Sequence, residues 1–370
     1  MIYNWQQEDW TAFKYDTQNI EGITYDFVER IGRISGFMKG LSNAVQTETM
    51  IDMMVSEAIK TSEIEGEYIS REDVMSSIRN NLGLVKEIVQ VKDKRAAGVG
   101  ELMIDVRNSY AEALTKEKLF SWHKMLMKGS SGIKKGEWRS GQESMQIVSG
   151  AAGKEKIHFE APPSANVADE MMHFIEWFNA TDLGGIKEIK MPMLRSAIAH
   201  LYFESIHPFE DGNGRIGRAI AEKALSQDIK RPILLSLSNT IEENKKDYYN
   251  ALKIAQRSNE ITPWINYFIK IILEAQVQAE QQIEFTLKKA RFFEHFDGQF
   301  NNRQQKVIQR MLKEGLKGFE GGMNAKKYIS IVGISKATAT RDLQDLVKRN
   351  ILIPMGGGRS TSYEINLNFK

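Results

Sequence analysis

The sequence contains no cysteine, which excludes disulfide bridges and thiolate metal sites in this chain. It also lacks an apolar run long enough to span a bilayer. Its first residues, MIYNWQQEDW, have neither the basic start nor the apolar stretch of a secretory signal. These absences lead us to expect a soluble, cytoplasmic protein with no membrane partner.

The composition is typical of a folded protein with several domains. Hydrophobic residues make up 42% of the chain and charged residues 26%, a balance found in globular rather than disordered proteins. A chain of 370 residues is too long for one ordinary core. We therefore expect two or three domains.

Charge is distributed unevenly along the chain. Residues 301–370 contain thirteen Lys and Arg but five Asp and Glu, a balance of +8 that leaves −6 for the rest of a chain whose net charge is +2. A basic segment of this kind is typical of nucleic-acid-binding modules, although a solvated basic face has the same composition.

Most of the sequence shows the apolar periodicity of α-helices. Residues 43–66 run without proline or internal glycine and end at Gly66, a residue type that commonly ends helices. A further helix is predicted after Ser70, the N-cap, with Asp73 at its third position. Other helices are predicted over residues 167–180, 191–206, 216–228 and 262–293.

Two segments favour β-hairpins. Residues 145–163 contain two β-prone runs around a Gly/Ala turn, and residues 351–366 contain two more around three glycines. The predicted fold class is therefore mainly α, with a helical body that includes one hairpin and a small C-terminal α/β module.

The densest group of reactive residue types is HPFEDGNGRIGR, residues 207–218. The preceding helix is predicted to end at His207, because a residue before proline disfavours helical geometry. The segment DGNG is predicted to turn, and a new helix is predicted to begin at Arg215. A glycine-rich turn before a helix directs free backbone N–H groups towards an anion.

The side chains of this segment suit phosphate chemistry. Arg215 and Arg218 are three residues apart, so both can reach phosphate oxygens from the first helical turn. Asp211 is a hard oxygen ligand suited to Mg²⁺, and His207 can remove a proton from a hydroxyl near neutral pH. The alternative is a loop in which His207 caps a helix and the arginines form surface ion pairs.

This stretch resembles the signature of the Fic family, HxFx(D/E)GNGRxxR. Every signature position agrees, namely His207, Phe209, Asp211, Gly212, Asn213, Gly214, Arg215 and Arg218. The resemblance implies a Fic-type helical bundle with a β-hairpin flap. It also implies transfer of AMP from ATP to a Ser, Thr or Tyr hydroxyl of a target protein, with release of pyrophosphate.

The resemblance implies a role for each residue of the motif. His207 would be the general base, Asp211 the Mg²⁺ ligand, and Phe209 a buried anchor of the loop. Lysine replaces Gly214 in a branch that transfers the γ-phosphate, so glycine favours AMP transfer. ATP would bind along the segment Gly212, Asn213, Gly214, Arg215, Ile216, Gly217 and Arg218, with the two arginines at the β- and γ-phosphates.

Two more segments resemble parts of the family's active site. Tyr248 and Tyr249 stand where relatives often place a pair beside adenine, although two tyrosines on a helix commonly serve packing. Gln256 replaces a frequent asparagine, and Arg139 is expected to be structural. The flap aligns an extended target segment along its edge, and its candidate residues are Lys156, Ile157, His158 and Phe159.

The segment TSEIEG, residues 61–66, resembles the inhibitory motif (S/T)xxxE(G/N) of Fic proteins. Thr61 and Glu65 are four residues apart and share one helical face, and Gly66 ends the helix. In the family this glutamate pairs with the second motif arginine, here Arg218, and blocks productive binding of the ATP γ-phosphate. The alternative is a solvated glutamate at a helix end.

The basic C-terminal segment resembles a winged helix-turn-helix. It consists of a helix, the turn VGIS, a second helix over residues 335–350 and a hairpin, the wing, around Gly356 to Arg359. The second helix of such modules can enter the DNA major groove, but the modules also serve dimerisation or protein docking. The residues available to DNA are Ser335, Lys336, Thr338, Thr340, Arg341 and Arg359.

Together these segments predict four regions. They are a helical region with the inhibitory motif (1–110), a Fic catalytic core (111–275), a helical linker (276–300) and a winged helix-turn-helix (301–370). The expected ligands are ATP and Mg²⁺, and the partners considered are a target protein, the chain itself as target or homodimer, and DNA through residues 301–370. Two other functions stay open: a DNA-binding regulator whose core senses nucleotide, and removal of AMP from modified proteins.

Overall fold

The structure is a computed structural model that describes residues 2–18, 20–142, 144–149, 156–358 and 361–369. Within these ranges the chain is mainly helical, as predicted, and its strands form two antiparallel hairpins. No helix in the described part is long and apolar enough to cross a membrane. The chain divides into two compact units, Met1–Gly32 with Met50–Ala279 and Arg33–Thr49 with Glu280–Lys370.

The elements follow one another in this order. The helices are α1 (Ile20–Lys39), α2 (Asn43–Ile64), α3 (Arg71–Asn81), α4 (Lys94–Asn108), α5 (Lys116–Leu126), α6 (Val167–Ala180), α7 (Pro192–Ile206), α8 (Asn213–Asp228), α9 (Leu237–Glu243), α10 (Lys245–Ala255), α11 (Thr262–His295), α12 (Asn302–Leu312), α13 (Ala325–Val332) and α14 (Lys336–Lys348). The strands are β1 (Gln146–Ser149), β2 (Lys156–Glu160), β3 (Leu352–Met355) and β4 (Ser362–Ile365).

Helix α7 is the centre of the first unit. All of its residues are buried, as expected for a helix that is apolar on nearly every face. Its one arginine, Arg195, is paired with Asp228 at 3.0 Å and bonded to the side chain of Gln227. Helix α8 packs along α7, and helices α2 to α6 complete the apolar core around this pair. Residues 207–218 therefore connect the two most enclosed helices of the unit.

Local signals determine the end of α2 and the start of α3. Helix α2 ends at Ile64, and Gly66 then adopts a φ of +81°, which favours glycine. The Ser70 side chain accepts a hydrogen bond from the N–H of Asp73, as predicted for the N-cap of α3. The predicted inhibitory segment thus lies at the end of α2 and in the turn after it.

The first hairpin, β1–β2, is the one predicted to be the flap. Ile147 pairs with Phe159 and Val148 with Ile157, so His158 is an extra residue that forms a bulge in β2. Phe159 is buried against Tyr3. The connecting residues 150–155 and the Lys156 side chain lie outside the described part of the chain.

The second unit contains α12, α13, α14 and the hairpin β3–β4 around an apolar core of its own. Ser335 caps α14 by accepting a hydrogen bond from the N–H of Thr338. Asp342 on α14 accepts from Arg303 at 2.9 Å and from the Tyr328 hydroxyl at 3.0 Å, which joins the three helices. The order of elements is the one expected, whereas the winged helix-turn-helix assignment stays a prediction and Arg359 lies outside the described residues.

Candidate nucleotide-binding site

His207 occupies the junction between α7 and the motif loop. It has a φ of 52° and a ψ of 60°, a left-handed conformation that ends the helix directly before Pro208. Its carbonyl accepts a hydrogen bond from Arg139 Nε at 2.8 Å. Arg139 is buried and also donates to the carbonyls of Pro162 and Ile206, and burial lowers its pKa to about 10. Arg139 thus joins the foot of the flap to the motif loop, in line with the structural role expected of it.

Phe209 anchors the loop, as expected. Its ring is fully buried and stacks on His123 with a centroid distance of 4.1 Å. The Asn213 amide accepts from the N–H of Phe209 at 2.9 Å and donates to its carbonyl at 2.8 Å. The Asn213 side chain is buried, and its two bonds to Phe209 hold the loop closed.

Helix α8 begins inside the GNG segment. The sequence predicts a start at Arg215, but the helix begins two residues earlier at Asn213, because Gly212 takes the left-handed conformation with a φ of 82° and completes the turn. The N–H of Ile216 donates to the carbonyl of Gly212. The N–H groups before it lie ahead of the first helical hydrogen bond, and such groups bind anions.

Arg218 is joined to the predicted inhibitory segment. Its side chain is 1% exposed and donates to Thr61 Oγ1 at 2.8 Å, to the Thr61 carbonyl at 2.9 Å and to Glu65 Oε1 at 2.8 Å. Although burial opposes its charge, the Glu65 carboxylate holds the pKa of Arg218 above its usual range. The structure therefore brings Thr61, Glu65 and Arg218 together from positions that are distant in the sequence.

Gly214 allows this close approach. A Cβ atom at position 214 would overlap Glu65 Oε1 and lie 3.2 Å from Arg218 Nη1. The absence of a side chain at position 214 thus has a packing reason in the present conformation, independent of any bound phosphate.

A second glutamate, which the sequence motifs do not predict, contacts the other arginine. Glu67 Oε2 lies 2.6 Å from Arg215 Nη1, and the Arg215 side chain is 3% exposed. The turn at Gly66 returns the chain so that the N–H of Glu67 donates to the carbonyl of Ser62. The inhibitory motif ends at Gly66, so the sequence contains no signal for the Glu67 contact.

Asp211 has the surroundings of a ligand for a metal that arrives with its substrate. Its side chain is 48% exposed, Oδ1 accepts from the N–H of Gly212, and Oδ2 lies 3.6 Å from Arg215. The described residues contain no group of three or more His, Asp or Glu side chains that could hold a metal. One exposed carboxylate fits Mg²⁺, which usually keeps waters and substrate phosphates as its other ligands.

The tyrosine pair divides between core and surface. Tyr248 is 1% exposed and its hydroxyl lies 2.7 Å from His200 Nε2, whereas Tyr249 is 40% exposed. Adjacent residues of a helix point about 100° apart, so one of two neighbouring tyrosines faces the core. The Tyr248 ring therefore packs in the core, and of the two predicted adenine contacts Tyr249 is the one with an exposed ring. Gln256 is buried and donates to the Glu204 carbonyl.

The flap is attached to the N-terminal segment. The carbonyl of Glu160 accepts from Trp5 Nε1 at 2.7 Å, and the carbonyl of His158 accepts from Arg257 at 3.1 Å. Phe159 is 2% exposed, whereas the Ile157 side chain is 46% exposed. Of the flap candidates with described side chains, Ile157 is therefore the one that offers an apolar surface to a partner.

Comparisons with known proteins show which families and relatives the chain is similar to. The model of the Fic/DOC family matches residues 113–225, and that of a domain of unknown function, DUF4172, matches residues 3–84. Protein adenylyltransferase fic-1 of Caenorhabditis briggsae is 27% identical over 104 residues, 28% of this chain and 18% of that protein. A probable protein adenylyltransferase of Aquifex aeolicus is 29% identical over 147 residues, 39% of this chain and 38% of that protein. The chain thus spans less than two-fifths of either relative.

Solved structures share the fold. A Fic family protein from Desulfovibrio desulfuricans has a TM-score of 0.52 at 20% identity, over 96% of this chain and 100% of that one. A Fic-domain signalling protein from Bacteroides thetaiotaomicron has a TM-score of 0.53 at 17% identity, over 71% of this chain and 97% of that one. These likenesses show the fold. The Fic/DOC family model matches residues 113–225, which include the motif loop, and this part of the chain is therefore a Fic domain.

Proposed function

We propose that this protein is an autoinhibited adenylyltransferase that transfers AMP from ATP to a Ser, Thr or Tyr hydroxyl of a target protein. The main support is the hydrogen bond of 2.8 Å between Glu65 and Arg218 at the start of α8, beside a complete Fic motif. The motif supplies a base, free N–H groups and two arginines within twelve residues. Phosphoryl-type transfer needs positioning and positive charge more than covalent chemistry.

The reaction begins with attack of the target hydroxyl oxygen on the α-phosphorus of ATP. His207 takes the hydroxyl proton as the new P–O bond forms. The bond from the α-phosphorus to the oxygen bridging the β-phosphate breaks, and pyrophosphate leaves. Arg215, Arg218 and the N–H groups at the start of α8 neutralise the charge on that leaving group. Gly214 supports this orientation of ATP over γ-phosphate transfer, as the resemblance implies.

Asp211 is the residue that would hold Mg²⁺. The bound ion would supply positive charge to the phosphates. Asp211 lies at the loop turn beside Arg215, on the side of the motif where the phosphates would bind. Its contribution is to fix the ion relative to the N–H groups of α8.

Glu65 would keep the enzyme inactive. The buried Arg218 donates to Thr61 and Glu65. The γ-phosphate of ATP would accept a hydrogen bond from the same Arg218 N–H group that now donates to Glu65. The phosphate and the Glu65 carboxylate are both anions, so only one of them can occupy this position. Release of Glu65 therefore precedes productive ATP binding.

The test is incorporation of AMP from ATP labelled in the α-phosphate. Glu65→Gly should raise Mg²⁺-dependent labelling of the chain itself or of added protein, and His207→Ala in that background should abolish it. Glu63→Gly is the matched control, because Glu63 pairs with Lys60 rather than with a motif arginine. Equal labelling by the parent and by all these variants would refute the proposal.

Hydrolysis of AMP from modified proteins is a second reaction that the same residues would catalyse. It is not the chemical reverse of AMP transfer, because water rather than pyrophosphate attacks the phosphorus, and Glu65 would orient that water. Incubation of a purified AMP-modified protein with this chain distinguishes the two activities. If AMP removal is the activity, the label is lost with the parent chain and is retained when Glu65 is replaced.

A different function, DNA binding by residues 301–370, has one observation in its favour. Lys336 and Arg341 are exposed on α14, and neither forms an ion pair within the described residues. Free cations at the start of a helix can contact phosphates. A salt-dependent gel shift that weakens in Lys336→Ala and Arg341→Ala, and that does not depend on His207, would support this function.

A further inference from the structure

Buried polar atoms without hydrogen-bond partners form a cluster at the C-terminal end of α7, on the Nδ1 side of the His207 ring. Atoms of this kind are rare in folded proteins, because desolvating a polar group without a partner is costly. Three of those in the described chain belong to neighbouring side chains, and they are His200 Nδ1, Glu204 Oε1 and His207 Nδ1. Neither the nucleotide nor the inhibitory segment explains them.

Glu204 and His207 face each other on the last turn of α7. They are three residues apart, and Glu204 Oε2 lies 3.6 Å from His207 Nδ1. The side chains are 5% and 13% exposed, so little water reaches either group. A separation of 3.6 Å is longer than a hydrogen bond, but catalytic hydrogen bonds are often long in free enzymes and shorten in the reactive complex.

Gly217 makes room for this carboxylate where α7 packs on α8. A Cβ atom at position 217 would lie 2.5 Å from Glu204 Oε1 and 3.2 Å from His200 Nδ1. No real Cβ approaches an oxygen so closely without displacing it. The glycine one turn into α8 therefore holds open the space in which Glu204 approaches His207.

The charge state of Glu204 follows from its neighbours. Burial alone opposes ionisation, but His207, His200 and Arg218 together lower the pKa of Glu204. Burial lowers the pKa of His200, and its Nε2 atom lies 2.7 Å from the Tyr248 hydroxyl. A buried carboxylate thus faces His207, which has no partner at Nδ1.

We propose that Glu204 is a positioning residue for His207: its carboxylate binds the protonated Nδ1 and leaves Nε2 as the acceptor for the hydroxyl proton. After proton transfer the same carboxylate stabilises the imidazolium. A carboxylate behind the base histidine has this role in Ser-His-Asp triads, where it selects the tautomer and the ring orientation. The inference rests on the proposed function in one respect, the assignment of His207 as the base.

The first experiment measures the histidine tautomer and needs no activity. ¹⁵N-resolved NMR of the full chain reports which ring nitrogen of His207 is protonated at neutral pH, with the signal assigned by its loss in His207→Gln. The parent should be protonated at Nδ1, and Glu204→Gln should shift the population towards Nε2. Glu176→Gln, an exposed glutamate on α6, is the control and should leave the tautomer unchanged. The other five histidine signals report whether each variant is folded.

The second experiment uses the Glu65→Gly background and the pH dependence of AMP transfer. Glu204→Gln should lower the rate by about 100-fold or more, the range that positioned proton transfer contributes, with a KM for ATP that stays within about twofold. The apparent pKa of the base should fall, because the imidazolium loses its neighbouring charge, and Glu204→Asp should recover part of the rate.

The two experiments fail in different ways. If the tautomer of His207 is the same in the parent and in folded Glu204→Gln, the positioning role is refuted, whatever the enzyme does. If the tautomer changes but no variant transfers AMP, the positioning role holds and the proposed function is refuted. An unchanged pH profile in an active Glu204→Gln variant would also overturn the inference.

Discussion

The contact between Glu67 and Arg215 leads to a prediction about ATP affinity. Arg215 is almost fully buried, and its guanidinium lies 2.6 Å from Glu67 Oε2 and 3.6 Å from Asp211 Oδ2. If Arg215 binds a phosphate of ATP, Glu67 has to release it. Glu67→Gln removes the negative charge, keeps the side-chain size and should therefore tighten ATP binding.

The structure sets the size of the effect. A hydrogen bond between charged groups contributes about 1.5–3 kcal/mol, and the 23% exposure of the Glu67 side chain places this one at the lower end. Since 1.4 kcal/mol corresponds to a factor of ten, we expect roughly 5- to 20-fold tighter binding. Glu65→Gln should have an effect of similar size, because Glu65 is 26% exposed and lies 2.8 Å from Arg218.

Isothermal titration with a non-hydrolysable ATP analogue and Mg²⁺ measures this change on the full chain. Glu63→Gln is the matched control: it removes the same charge from the same segment, but Glu63 pairs with Lys60 at 2.6 Å. The reasoning is refuted if Glu67→Gln and Glu63→Gln bind the analogue equally well. A gain seen in both variants would indicate general attraction of the anion rather than release of Arg215.

Two further predictions concern stability and are checked by urea unfolding. Burial, together with the charge of Glu57, raises the pKa of Glu222 to about 8 from 4.5, so the folded state keeps a proton that the unfolded state loses, and stability falls as pH rises between these values. The free energy of unfolding of Glu222→Gln should therefore exceed that of the parent by about 1 kcal/mol or more at pH 8 and by less at pH 5. An equal difference at both pH values would contradict this prediction. A Cβ atom at position 98 would overlap the Met125 carbonyl oxygen, so Gly98→Ala should lower the free energy of unfolding by about 1–3 kcal/mol. A Cβ atom at position 36 on α1 would meet no atom from outside its own helix within 4 Å, so Gly36→Ala should raise that free energy by about 0.5–1 kcal/mol. Similar changes in both variants would contradict the packing argument.

The parts of the fold that were predicted correctly depend on short-range chemistry. A residue before proline resists helical geometry, so the end of α7 at Ile206 follows from Pro208. The cap of α3 by Ser70 and the flap strands likewise depend on neighbouring residues. The start of α8 was predicted two residues late, because the left-handed Gly212 and the bonds from the Asn213 amide to Phe209 close the loop together. This loop closure has no periodic signature.

The parts that could not be predicted depend on contacts across long stretches of chain. Glu67 contacts Arg215 across a separation of 148 residues, and the sequence around either residue does not indicate its partner. Helical periodicity also leaves open which of two adjacent tyrosines faces the core, a choice made here by the His200 ring beside Tyr248. The bond from Trp5 to the flap is of the same kind, since it joins residues 155 positions apart.

Two glycines of the motif show both a local sequence signal and contacts with distant parts of the chain. In the sequence, Gly214 belongs to the predicted phosphate-binding turn, and Gly217 to the predicted helix that continues the ATP-binding segment. In the structure each leaves space for a carboxylate from another part of the chain, Glu65 at position 214 and Glu204 at position 217. One carboxylate pairs with the arginine assigned to ATP, and the other faces the histidine assigned to the hydroxyl proton. Glycine at positions 214 and 217 therefore leaves room for two carboxylates, the proposed inhibitor Glu65 and the proposed positioning residue Glu204. This need for glycine is separate from the need to bind ATP.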